Sequence, residues 1–208
     1  MDLLDLLRLP PVACLLFCTL HSLDFLLTIA GERVRQRRAA QVIRISGSYE
    51  LNPLFRKVVD ERRWWSWRFL LTLGVGGAVF YVASWSMLST GRPDDLAALD
   101  LVLGAFVFSR LHIIQRHLHN LWLFDRIARH PESAVGEVHY ERRVGVAGAA
   151  FQSGGAALLL AAAYVAAPSA FVLGGALSCG LLTLLGVVLA LRAKPATAAA
   201  ASGAPTPS

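Results

Sequence analysis

Asp24 sits inside an apolar stretch, where a carboxylate is costly unless something uses or neutralises it. It belongs to a series, His21, Asp24, Thr28 and Glu32, with steps of three, four and four residues. On a helix these four fall within a stripe about 80° wide. The stripe offers a base, an acid and a hydroxyl on one face, groups that hold a proton, an ion or a polar headgroup. A second polar series lies in the run 99–130, where His112, Arg116 and His119 share a helix face, flanked by Ser109 and Asn120. Arg110 and His117 form another face of the same helix, rotated by roughly 120°. A third element is Glu50-x-Asn52-Pro53. Pro53 forces Asn52 out of the α region, so Asn52 is placed to cap a helix starting at Pro53.

Depth along the helices suggests which groups meet. Asp24 is about 20 Å from the outer end of its span, and His112 roughly 20–25 Å from the outer end of its own. Asp24 and His112 are therefore expected at one depth, each lowering the other's desolvation cost. Folding of 48–55 back toward these ends adds Glu50 and Asn52. The expected polar site comprises Asp24, Thr28, Glu50, Asn52, His112, Arg116, His119 and Asn120, near the cytoplasmic side, binding an ion, a proton or a lipid headgroup. The alternative is a membrane-embedded metal-dependent enzyme, with His21, Asp24, Glu50 and His112 as Zn or Fe ligands, and His117 and His119 in reserve. The spacing does not reproduce His-Glu-x-x-His. His21 and His112 also stand as an axial pair for a b-type haem. Cys14 and Cys18 lie close to the stripe, but with Cys179 they read as small apolar residues in spans. The residues leave the cofactor unknown and lean away from an enzyme.

These residues need a membrane to hold them. The 208-residue chain is 55% hydrophobic and 16% charged, against roughly 45–50% and about 25% for a soluble domain. Five stretches meet the requirement of roughly 20 apolar residues for a spanning helix: 11–30, 65–87, 96 to at least 114, 144–166 and 170–191. The fold class is all-α, an integral membrane bundle of five transmembrane helices over 1–192, followed by an Ala/Pro-rich tail over 193–208 that is expected to be disordered. Span three either ends near Ile114, with an interfacial helix after it, or continues inward as a polar wall. Fifteen Lys/Arg lie in 31–64, 125–143 and after the last span, against Arg8 and Arg92 on the other side. The positive-inside rule then puts the N-terminus outside and the C-terminus in the cytoplasm. Eighteen arginines against Lys57 and Lys194, with abundant alanine, suggest a GC-rich bacterial genome, hence the bacterial inner membrane.

The basic loop 33–44 alternates with apolar residues and is expected to lie as an amphipathic helix on anionic lipids of the cytoplasmic leaflet, with no role in binding nucleic acid. Small residues (Gly74, Gly76, Gly77, Gly154, Gly155, Gly174, Gly175, Ser178) let helices approach closely, within one chain, a homo-oligomer or a larger complex with a membrane protein partner. No Gly-x4-Gly-Lys-Ser/Thr loop or Gly-x-Ser-x-Gly elbow is present.

Asp24, Thr28, Gly31, Glu50, Asn52, Pro53, Leu54 and Arg68 together resemble an uncharacterised family of small prokaryotic multi-pass membrane proteins. That family has an intramembrane Asp-x3-Thr and a Glu-x-Asn-Pro-Leu motif. The likeness covers about residues 17–90. It departs in the arginine-rich insertion between Gly31 and Tyr49, and in Arg68 where Lys is expected. The resemblance implies no activity. It points to Asp24 and 50–53 as the positions that matter.

Overall fold

The computed structural model describes residues 2–39, 43–45, 55–130 and 138–193. The order is α1 (Leu3–Arg8), α2 (Pro10–Val34) running into a π-helical turn (Arg35–Ala39), β1 (Ile43–Ile45), α3 (Arg56–Asp60), α4 (Trp67–Thr90), α5 (Pro93–Arg129), β2 (Val138–Tyr140), α6 (Arg142–Ala166) and α7 (Ala170–Arg192). Among the described residues, five helices are long and apolar enough to cross a membrane: Pro10–Arg37, Trp67–Thr90, Pro93–Arg129, Arg143–Ala166 and Ala170–Arg192. Their outward faces carry bare Leu, Val and Phe, such as Phe151, Leu158, Val165 and Leu181, as lipid-facing surfaces do.

Local sequence explains the helix ends. Prolines open α2 and α5, where the missing N–H costs nothing. Asp94 and Asp95 suit the positive end of the α5 dipole. The Ser66 hydroxyl accepts from the Phe69 amide at 3.0 Å and caps α4. At its other end, Gly91 takes the left-handed conformation (φ 63°) that turns the chain straight into α5. α5 does not stop near Ile114. It runs unbroken for 37 residues, about 56 Å, longer than the roughly 30 Å hydrocarbon layer. No Gly or Pro interrupts 105–129, and Phe124 buries against Ala39 beyond the span.

α2, α4 and α5 pack against one another, α7 packs on α5, and α6 packs on α7. Phe17 of α2, Phe80 of α4 and Phe106 of α5 form a triangle of rings with centroids 4.9–5.0 Å apart. Phe25 stacks on Phe69 at 4.2 Å. The α5–α7 seam brings backbones into contact: a Cβ on Gly104 would overlap the Phe171 carbonyl, and one on Gly174 the Leu101 carbonyl. Gly74 and Gly155, by contrast, face open space.

The arginine-rich end departs from expectation in two places. The segment 33–44 is not a separate amphipathic helix. α2 continues to Val34, passes into the π-helical turn and returns as β1, paired in parallel with β2. Extending an existing helix avoids a new nucleation step, and Glu32 holds Arg35 and Gln36 across the junction. A helix was expected from Pro53 with Asn52 as its cap; the helix described after it, α3, begins at Arg56 with Phe55 at the N-cap. Glu50, Asn52 and Pro53 lie outside the described residues, as does the tail over 194–208. Arg33 fixes the turn into α4, stacking 4.0 Å over Trp64 and donating to the carbonyl of Arg62.

Candidate functional site

α2 and α5 meet in parallel. Asp24 meets Arg110 and Thr28 meets His117, residues 86 and 89 apart, and Arg8 of α1, just ahead of α2, meets Asp100 at 92. A nearly constant offset along two helices means they run in the same direction. That register places Asp24 between two basic residues two helical turns apart on one face of α5.

The cluster closes around Asp24. Arg110 Nη1 donates to Asp24 Oδ2 at 2.6 Å. His117 Nε2 lies 3.1 Å from Asp24 Oδ1 and 3.1 Å from Thr28 Oγ1. The Thr28 hydroxyl already donates to the Asp24 carbonyl at 2.9 Å. Both neighbours of Nε2 are therefore acceptors, and Nε2 carries the hydrogen. The Asp24 side chain is 15% exposed, that of His117 9% and that of Arg110 27%. Thr28 is buried. Asp24 is about 21 Å along α2 from Pro10, in the half nearer the arginine-rich end.

The partner of Asp24 differs from the expected one. His112 was expected beside Asp24, but it turns to α6, where its Nε2 meets Ser153 Oγ at 3.0 Å. Distance along the helices does not say which face of α5 looks at α2. The face that does is that of Arg110 and His117. Arg116 and His119 share the His112 face, and His119 is exposed, 6.2 Å from the Trp122 ring. Asn120 is half-buried at the edge of that face.

His21 is held apart from both groups. Its ring stacks between Phe17 and Phe69, and Nε2 meets Thr72 Oγ1 at 3.2 Å. The expected metal set is thus divided: His21 faces α4, Asp24 faces α5 and His112 faces α6, while Glu50 is not described. Among the described residues, no three His, Cys, Asp or Glu side chains gather as metal ligands. The axial pair imagined for haem is likewise split between two seams.

Two polar contacts went unforeseen. Arg8 forms a fork on Asp100, at 2.8 and 2.7 Å, with a third bond to Asp5 at 2.9 Å. The hydrogen bond to Asp100 raises the Arg8 guanidinium above its ordinary value. The readable signal was that a lone base, Arg8, precedes span one while Asp100 lies within the start of span three at the same end. Glu32, 1% exposed, is held by Arg35 through two 2.7 Å bonds and by Gln36. This pattern is legible at i+3 and i+4.

No family model, curated protein or solved structure matches the chain. Its function must therefore be argued from the Asp24 cluster itself.

Proposed function

We propose that the chain is a multi-pass protein of the bacterial cytoplasmic membrane. Its N-terminus is outside, and a proton-binding site lies on the α2–α5 seam near the cytoplasmic leaflet. The asymmetry of fifteen basic residues against two supports the orientation. The observation that carries the site is the shared hydrogen of His117 Nε2, held between Asp24 Oδ1 and Thr28 Oγ1.

With a neutral imidazole the cluster is electrically balanced, Asp24 against Arg110. A proton arriving on the second ring nitrogen of His117 creates an imidazolium beside the Asp24 carboxylate. The carboxylate then has two cations competing for it, and Arg110, the more exposed, is the one free to release it. Proton binding is in this way coupled to the α2–α5 contact, the kind of paired, bundle-facing ionisable group that marks proton sites in membranes.

The test follows the Asp24–Arg110 contact by NMR through-space correlation as pH is lowered, in the full-length protein in bilayer-mimetic micelles. The contact is expected to loosen in the wild type and to stay unchanged in His117→Gln, which cannot hold the added proton. A contact that does not respond to pH, or responds identically in His117→Gln, removes the proposal.

A further inference from the structure

The α5 face that carries His112, Arg116 and His119 turns away from Asp24, and it has no acid of its own. Arg116 is half-buried, one helical turn beyond His112, and among the described residues no carboxylate pairs with it. The acid that begins α6, Glu141, precedes Ser153 by about 18 Å of helix. Ser153 is level with His112, which leaves Glu141 about 12 Å beyond Arg116 along the bundle. Further along α5 the same side carries Arg126, and Arg143 is exposed at the start of α6. From His112 onward, the charged groups that α5 itself presents on this side, Arg116 and Arg126, are basic.

Depth indicates what supplies the missing anion. Asp100, paired with Arg8, marks the opposite end of the bundle. Arg116 is about 24 Å along α5 from it, so in a hydrocarbon layer of roughly 30 Å its guanidinium reaches the headgroup boundary of the arginine-rich leaflet. His112 adds a directed group. The Ser153 hydroxyl donates to the Ala149 carbonyl at 3.0 Å, so it accepts from His112 Nε2–H. This fixes the ring beside Arg116.

We infer that His112, Arg116 and His119 form a binding site for the phosphate of an anionic phospholipid in the arginine-rich leaflet. Arg116 provides the planar fork that suits a phosphate, and the two imidazoles flank it. Basic grooves between spanning helices at this level take such headgroups. The inference rests on the membrane reading above, but not on proton binding at His117, and either can fail without the other.

The experiment uses the full-length protein in mild detergent, titrated with short-chain phosphatidylglycerol and followed by native mass spectrometry. Phosphatidylcholine and inorganic phosphate are run in parallel. Phosphatidylglycerol is expected to bind the wild type at least about tenfold more tightly than phosphatidylcholine, and Arg116→Gln to lose about tenfold. Arg92→Gln, exposed at the opposite end of α5, is expected to bind as the wild type does. Arg116→Lys keeps the charge without the fork and is expected to fall between. Equal affinity for the two lipids overturns the site without requiring any variant to fold. So does unchanged binding in Arg116→Gln. Binding of inorganic phosphate as tight as that of phosphatidylglycerol overturns the lipid assignment in favour of a free-phosphate site.

Discussion

Replacing Asp24 with alanine removes two contacts, 2.6 Å to Arg110 and 3.1 Å to His117. Side-chain hydrogen bonds between membrane helices average about 0.6 kcal/mol and reach about 1.7, while bonds to charged groups in general run to about 1.5–3. The short Arg110 contact belongs near the upper end and the longer His117 contact near the lower. Asp24→Ala should therefore cost about 2–3 kcal/mol. The 3–5 kcal/mol typical of a broken, fully buried pair is too large here, because Arg110 is 27% exposed and can extend toward the headgroups. Asp24→Asn keeps one acceptor oxygen and should cost about 1 kcal/mol less. The assay is reversible unfolding in bicelles, run as a double-mutant cycle with Arg110→Ala. A coupling of about 1–2 kcal/mol is expected. Additivity of the two substitutions within about 0.3–0.5 kcal/mol would refute the claim that the two side chains act on one another.

Other expectations concern the elements around the site. Gly104→Leu forces a side chain into the Phe171 carbonyl and should prevent α7 from docking on α5, costing at least about 3 kcal/mol; full protection of the α6–α7 hairpin from protease in this variant would contradict the seam. Arg8→Ala leaves Asp100 without its fork and should lower stability by about 1.5–3 kcal/mol, measured in the same bicelles; Asp100→Asn should cost no more on top of it. Thr28→Val removes one of two acceptors for His117 Nε2–H and should cost only about 0.6 kcal/mol, with a larger loss indicating a different hydrogen-bond pattern. A fluorescent reporter fused after Ser208 should light up in the cytoplasm, and a periplasm-specific one should stay silent; the opposite pattern would invert the orientation.

The helices were legible because lipid demands long apolar runs, and 144–166 and 170–191 match α6 and α7 almost residue for residue. The extent of α5 was undecided at Ile114, since Arg116, His117 and His119 look equally at home in a headgroup layer; only packing of Phe124 on Ala39 shows the continuation. Asp24 and Thr28 stood out as charge and hydroxyl on one stripe. Their partners did not, because the angle at which two helices face each other comes from packing such as the Phe17, Phe80 and Phe106 triangle, and a single sequence does not encode it visibly. His112 and His117 are five residues apart and similar in depth, so only the rotation of α5 separates the residue that meets Asp24 from the one that meets Ser153.

Solid-state NMR of the full-length protein in bilayers measures that rotation directly, through a ¹⁵N–¹³C through-space correlation between a histidine side chain and the Asp24 carboxyl carbon. The arrangement described here predicts a correlation from His117 Nε2, assigned with the hydrogen on that nitrogen, and none from His112. A correlation of Asp24 with His112, or an imidazole of His117 protonated only on Nδ1, would contradict it.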